Sequence, residues 1–291
     1  MDGVDFRLLG QLVQEPFATQ EALAREVGLS AGAVRRRLRL LGEEGVLRGW
    51  SALPAAGLFG RQAVGAAWHR TLDPDLLLAV PDTLWAADSV DGRAGAMGYT
   101  RDPDAWLADV TAAAGGEAPW QEVHLPTAQL PAMGPLEWRV LAAMVTHPRA
   151  TIRDLSAASG LAPRTVRARH DALLASGSVK VEPLLRPSRT GALAYHLYIE
   201  GPPDAQARAA ALVAAADATE HLVIDRYETG LYLFVLSPSL GDQGALVARL
   251  RDLAGVADVQ VVLNRDYRLH HERLLGWIDE QLTTWRGHSG P

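Results

Sequence analysis

Arginines cluster in two short stretches of this sequence, and their spacing favours contact with a polyanion. Arg35, Arg36 and Arg39 form the first group, and Arg164 and Arg167 form the second. At helical period each group falls on one side of a helix, away from its apolar positions. Guanidinium groups on an exposed helix face are typical of side chains that read guanine edges or bind phosphates in the DNA major groove.

Other side chains offer little catalytic chemistry. The sequence has no cysteine, which removes thiolate metal ligands, cysteine nucleophiles and disulfides together. Of nine histidines, His270 and His271 are adjacent, and adjacent side chains point apart on a helix or strand. No H-E-x-x-H or C-x-x-C-H motif occurs. We therefore predict no metal site and no cofactor. We also expect no catalytic residue and a protein that is not an enzyme.

The first arginine group belongs to a predicted helix-turn-helix over residues 20–41. Val34 and Leu41 give the second helix an apolar face, Gly28 suits a turn that needs positive φ, and Ser30 can cap the helix that follows. The second helix of such a unit lies in the DNA major groove. The exposed set predicted to contact DNA is Ser30, Gly32, Arg35, Arg36 and Arg39.

The same pattern returns 132 residues later without a gap. Gly160 matches Gly28, and Trp138 matches Phe6. The second predicted DNA-contacting set is Arg164, Thr165 and Arg167. The matched pair Arg37 and Arg169 lies at the edge of the apolar face, and for Arg37 a structural or phosphate-binding role is as well supported as base reading.

A βαββαβ pattern follows each helix-turn-helix and predicts a ferredoxin-like sheet covered by two helices. We predict an α+β fold with four domains. They are a winged helix-turn-helix at 1–51, a ferredoxin-like effector-type domain at 52–126, a second winged helix-turn-helix at 133–186, and a second ferredoxin-like domain at 187–291 that ends in an amphipathic helix. The short extended stretch at 45–50 is the predicted first wing.

Composition limits the class of protein. The chain of 291 residues carries a net charge of −6, which argues against a general nucleic-acid coat protein but allows a locally basic DNA reader. No apolar run approaches the length of a membrane span, and the acidic first five residues do not form a signal peptide. We expect a cytoplasmic protein with no membrane partner.

The run LAREVGLSAGAVRRRLRLLGEEGVLRGWSAL resembles the DNA-binding half of the Lrp/AsnC (feast/famine) transcription regulators. The strand–Thr-Gly–strand stretch at 227–235 is similar to an element of that family's effector domain. The resemblance implies a regulator of double-stranded DNA that responds to a small metabolite such as an amino acid. It points to an effector site at Asp225, Tyr227, Glu228, Thr229, Gly230 and Asn264. The alternative is that Thr229 and Gly230 only form a hairpin turn.

Family members usually carry one copy per chain and pair through their effector domains. The duplication therefore implies an intramolecular pseudo-dimer with two diverged readers and an asymmetric operator, and it leaves a further homo-oligomer open. Sirohaem decarboxylases share this plan, but their His-Asn-Tyr run is replaced here by Asp225, Arg226 and Tyr227. A third alternative is an interaction module that has lost DNA binding.

Overall fold

A computed structural model describes residues 2–90, 92–124, 130–186, 189, 193–216, 219–226 and 229–288. Its helices are α1 (Gly3–Gln14), α2 (Gln20–Val27), α3 (Ala31–Glu43), α4 (Pro74–Leu78), α5 (Pro103–Ala114), α6 (Pro135–Thr146), α7 (Ile152–Ser159), α8 (Pro163–Ala175), α9 (Pro203–Ala214), α10 (Leu240–Arg251) and α11 (His271–His288). Its strands are β1 (Leu47–Pro54), β2 (Gln62–Trp68), β3 (Thr83–Ser89), β4 (Ala94–Thr100), β5 (Trp120–His124), β6 (Val179–Leu185), β7 (Leu193–Glu200), β8 (Glu220–Arg226), β9 (Gly230–Ser237), β10 (Asp258–Val262) and β11 (Asn264–Leu269). A short 3-10 helix spans Ala56–Phe59. The predicted α+β class and the repeated helix-turn-helix and βαββαβ pattern are confirmed.

The chain forms two compact units that do not coincide with its two sequence copies. Unit 1 contains residues 1–49, 88–93 and 183–267, and unit 2 contains residues 50–87, 94–182 and 268–291. Each unit therefore combines the helix-turn-helix of one copy with the sheet of the other. We call residues 1–51, which contain α1–α3, the first head, and residues 133–186, which contain α6–α8, the second head.

Unit 1 is built on an antiparallel sheet with strand order β10-β7-β9-β8. One face of β7, with Tyr195, Leu197 and Ile199, forms a core with α9 and α10. On the alternate positions, Phe234 and Leu236 of β9 pack with the first head. The Gln14 side chain of α1 also donates to the His221 carbonyl at 3.1 Å. The first head thus rests on the sheet of the second copy.

Unit 2 repeats this plan with the partners exchanged. Most of the sheet of the first copy lies in unit 2; its order is β11-β3-β4-β2-β5, which is the same ferredoxin-like order with β11 added at the β3 edge. Val64 and Trp68 of β2 pack with Trp106 of α5. Phe59 and Tyr99 instead share a core with the second head and α11.

The C-terminal helix α11 holds the second head and the first sheet together. Trp277, 5% exposed, stacks on Tyr99 with ring centroids 6.0 Å apart, and the Arg61 guanidinium lies 4.4 Å from the centre of its ring. Arg273 donates to the carbonyls of Val80 and Thr83, just after α4. The predicted apolar side of this helix is confirmed, since Leu274, Leu275, Ile278 and Leu282 all pack into the core.

The predicted first wing is a strand with a specific partner. β1 pairs with β6 in a two-stranded sheet, so the corresponding strands of the two copies bond to each other. In unit 1 the Arg186 N–H donates to the Val46 carbonyl, and in unit 2 the Ala55 N–H donates to the Ser178 carbonyl, both at 2.9 Å.

Candidate nucleic-acid interface

Local sequence signals position the recognition helix of the first head. Gly28 ends α2 in the left-handed conformation with φ of 69°. The Ser30 hydroxyl accepts from the Ala33 N–H at 3.2 Å, which satisfies one of the free N–H groups at the start of α3. Val34 and Leu41 are almost fully buried, at 0% and 2% exposure. Gly32, Arg35, Arg36 and Arg39 are exposed on the opposite side, as the pattern predicts.

The three exposed arginines of α3 differ in their partners. The Arg35 Nε donates to the Gln20 side-chain oxygen at 3.0 Å, a contact that leaves its charge uncompensated. Arg39 forms an exposed ion pair with Glu43 one helical turn later, at 2.5 Å. Among the described residues, Arg36 makes no ion pair or hydrogen bond. Arg36 is thus the cation of this face that is most available to an external anion.

The second head uses a different start for its recognition helix. Gly160 ends α7 with φ of 65°, and Pro163 occupies the first turn of α8, where its missing N–H costs nothing. The Arg139 guanidinium donates to the Ser159 carbonyl near that turn. Arg164 and Arg167 are exposed and form no ion pair with any described residue, while Thr165 is partly buried.

Arg37 and Arg169 each form an ion pair with a carboxylate of their own head. Arg37 Nη1 lies 2.8 Å from both the Asp2 and the Asp5 carboxylates, and Arg169 Nε lies 3.0 Å from Glu137. Hydrogen bonds to Asp5 and Asp2 raise the pKa of Arg37. The pKa of Asp2 is lowered, first by the Asp5 backbone N–H and then by Arg37. Of the roles left open by the sequence, the geometry supports the structural one.

His170 replaces the apolar Leu38 on the inner side of α8. It is 9% exposed, and its Nδ1 lies 2.9 Å from the Asp171 carboxylate. This contact satisfies its ring nitrogen at the edge of the helix, so the histidine is accommodated without an unpaired polar atom at that position.

The effector residues implied by the family resemblance are described only in part. Tyr227 and Glu228 lie outside the described residues, as do the side chains of Asp225 and Asn264. Thr229 is exposed, and its carbonyl accepts from the Gly201 N–H at 2.8 Å. A Cβ on Gly230 would lie 2.8 Å from the Tyr198 hydroxyl, so only glycine fits there. The close approach of Tyr198 explains a structural need for glycine at 230, and the effector site stays a prediction.

The described part of the chain lacks the side-chain cluster of a metal site and the helix of a membrane span. It contains no group of three His, Asp or Glu side chains that could hold a metal ion. Within the same residues, no helix has both the length and the apolar character needed to cross a bilayer.

The sequence did not predict two structural features of the heads and their surroundings. The first is the pairing of Asp5 with Arg37, which the 132-residue offset could have indicated because it aligns Asp5 with Glu137 and Arg37 with Arg169, the matching acid–base pair. The second is a surface cleft of about 660 Å³ beside α6 and α7, where the Arg149 guanidinium lies 4.3 Å from the Trp50 ring centre. Nothing in the local pattern places Trp50 beside that turn.

Known proteins resemble the two heads most clearly. The winged helix-turn-helix DNA-binding family matches residues 1–48 and 133–180. A leucine-responsive regulatory protein of Rhizobium meliloti (strain 1021) is 39% identical over 64 residues, which is 22% of this chain and 41% of the relative. An uncharacterised HTH-type transcriptional regulator of Pyrococcus horikoshii is 32% identical over 75 residues, 26% of this chain and 48% of the relative. The chain therefore spans less than half the length of these curated relatives.

One solved structure matches nearly the whole chain. The siroheme decarboxylase NirDL, crystallised with an iron-uroporphyrin III analogue, aligns with 96% of this chain and 99% of its own, with a TM-score of 0.50 and 13% identity. At that identity the match concerns the fold alone. The two winged helix-turn-helix matches show that this unit occurs twice in the chain, and part of the chain is similar to a leucine-responsive regulatory protein.

Proposed function

We propose that this protein is a sequence-specific DNA-binding transcription regulator that uses both heads. The observation that carries the proposal is the exposed face of each recognition helix. Arg36 on α3 and Arg164 and Arg167 on α8 are exposed, and none is neutralised by a carboxylate among the described residues. Such side chains bind guanine edges bidentately or neutralise phosphates.

The two faces are chemically different, which favours an asymmetric operator. At the 132-residue offset Gly32 corresponds to Arg164. Arg36 corresponds to Ala168, and Arg39 corresponds to Asp171. The cations therefore lie near the start of α8 but further along α3. Two different base patterns follow from two different helices, rather than the palindrome that identical heads read.

Selection of genomic DNA fragments by the purified protein tests the proposal. We expect enriched fragments that share a sequence, and loss of that enrichment in the Arg35→Ala/Arg36→Ala variant. The control is Arg101→Ala/Arg249→Ala, which removes two exposed arginines outside the heads. Failure of the wild-type protein to enrich any sequence would leave an interaction module without DNA binding as the better description.

We further propose a small-molecule effector, such as an amino acid, at the loop that precedes β9. Support comes from the resemblance of this element to the family and from the name of the Rhizobium relative, a leucine-responsive regulatory protein. Titration calorimetry with L-leucine and other amino acids tests it. We expect one of them to bind the wild-type protein and to bind a Thr229→Val variant more weakly, and absence of binding by any of them would refute it.

An enzyme of the sirohaem decarboxylase kind is the second candidate, because NirDL has the same fold over almost the full chain. The sequence opposes it, since Asp225 and Arg226 stand where that family has histidine and asparagine. Adding sirohaem to the purified protein and recording the absorbance spectrum separates the two. A stoichiometric shift of the haem bands would support the enzyme.

A further inference from the structure

The two heads differ strongly in charge. Residues 133–186 contain eight Lys or Arg and four Asp or Glu, whereas residues 1–51 contain seven of each. The second head is therefore cationic and the first is neutral. Salt screens charges beyond roughly 10 Å at 0.1 M, so the charges on each head itself decide how it attracts a phosphate backbone.

The difference arises at surface positions. Five exposed glutamates of the first head, at 15, 21, 26, 43 and 44, correspond to His147, Arg153, Ala158, Ala175 and Ser176 in the second. One of them, Glu43, pairs with Arg39 on the recognition helix itself. Carboxylates on a DNA-facing surface repel phosphates and occupy arginines that could otherwise bind them.

Phosphate-binding arginines remain available in the second head. Arg169 pairs with Glu137, and the exposed Arg164 and Arg167 have no carboxylate partner among the described residues. Each phosphate neutralised on duplex DNA contributes about −0.9 to the slope of log K against log salt. Affinity that depends on salt should therefore come mainly from this head.

We infer that the two heads divide the work on DNA: the second anchors the protein through phosphates, and the first adds discrimination between sequences. This inference rests on the proposed function, and it names what each recognition surface does within it. The first head keeps Arg35 and Arg36 on its exposed face, so it retains side chains suited to guanine edges while lacking the net charge for strong non-specific binding.

Binding of the full chain to two duplexes tests the inference. One duplex carries a selected fragment and the other a scrambled sequence of the same length, and fluorescence anisotropy gives the affinity at salt concentrations between about 50 and 300 mM. The variants are Arg164→Ala/Arg167→Ala and Arg35→Ala/Arg36→Ala, with Arg101→Ala/Arg249→Ala as the matched control. Circular dichroism checks that all of them fold.

We expect the second-head variant to bind both duplexes about tenfold or more weakly, with a salt slope reduced by nearly 2 (about 0.9 for each arginine). The first-head variant should lose about tenfold or more of the preference for the selected duplex, with a smaller change in slope. Equal losses of slope in the two variants would overturn the division of labour. If wild-type protein prefers neither duplex, the proposed function itself fails.

A graft provides an independent test. Replacing Glu43 by Ala and Glu44 by Ser gives the first head the residues found at the same positions of the second. We expect this variant to bind the scrambled duplex several-fold more tightly and with a steeper salt slope, by roughly one unit. An unchanged affinity would show that these carboxylates do not limit the first head.

Discussion

The Asp5 carboxylate joins two helices of the first head, since it lies 2.8 Å from the Arg37 guanidinium and also accepts the Asp2 N–H at 3.0 Å. One side chain thus caps α1 and fixes α3. Glu137 does the same in the second head, where it accepts from the Gly134 N–H at 3.1 Å and pairs with Arg169. The recognition helix of each head is positioned by a carboxylate of its first helix.

Replacement of Arg37 by Met should destabilise the first head without removing a DNA contact. We expect a loss of about 1–2 kcal/mol, because Arg37 is partly exposed and its hydrogen bonds are charge-assisted. Affinity for DNA should fall, but the slope of log K against log salt should stay at the wild-type value. Arg164→Ala, which removes a proposed phosphate contact of the second head, is the control and should lower that slope by about 0.9. A lower slope in the Arg37 variant would assign it to phosphate binding.

Unit 1 should lose stability in mild acid through His196. The ring stacks on Tyr232 with centroids 5.1 Å apart and contacts Phe234, and burial lowers its pKa from 6.5 to about 4. As the pH falls below 6.5, His196 binds a proton in the unfolded chain but stays neutral in the folded protein. Unfolding free energy should therefore drop between pH 6.5 and 4, by up to about 1.4 kcal/mol per pH unit.

Urea unfolding at a series of pH values measures this effect, and His196→Gln provides the comparison. The variant should show a flatter profile over that range, with a residual slope from His221 and His271, whose pKa values are also lowered by burial. A variant with the full wild-type slope would exclude His196 as the source.

Trp277 should contribute strongly to the free energy of unfolding of unit 2. Its ring contacts Phe59, Tyr99 and Arg61, and truncation to alanine should cost about 3–5 kcal/mol, as for other buried large aromatics. The control Trp285→Ala removes a tryptophan of the same helix that is 43% exposed, and should cost less than about 1 kcal/mol. Thermal unfolding followed by circular dichroism compares the two, and equal costs would contradict the assigned role of α11.

Division of the chain at residue 132 should separate each head from its sheet. Fragments 1–132 and 133–291, produced alone, should be unfolded or self-associated, because the apolar surfaces buried between Phe6 and Phe234 in unit 1 and between Trp138 and Phe59 in unit 2 belong to different fragments. Co-expressed fragments should purify as a one-to-one complex. Recovery of either fragment as a folded monomer by light scattering and NMR would refute this.

Local signals in the sequence predicted the helices and their ends. Gly28 and Ser30 determine their turn through positive φ and capping, and both act within a few residues. The sequence does not predict strand β11, because the charged stretch NRDYRL has little apolar alternation. β11 is instead defined by backbone hydrogen bonds to β3, the outer strand of the first sheet.

Packing partners could not be read from local patterns. The two copies have equivalent heads and equivalent sheets, so periodicity alone does not say whether Phe6 meets the sheet of its own copy or that of the other. For the candidate site, the exposed positions of Arg36, Arg164 and Arg167 followed from helical period. The intramolecular partners of Arg37 and Arg39 depend on side-chain geometry, which spacing does not specify.

The added strand β11 changes what the first sheet can do with other chains. An unpaired edge strand presents a row of N–H and C=O groups that template the addition of a foreign strand, a common start of uncontrolled polymerisation. Because β11 pairs with β3, the groups along that edge are already saturated from within the chain. The outer edge of this sheet is then β11 itself, whose charged residues Arg265 and Arg268 disfavour the addition of a foreign strand.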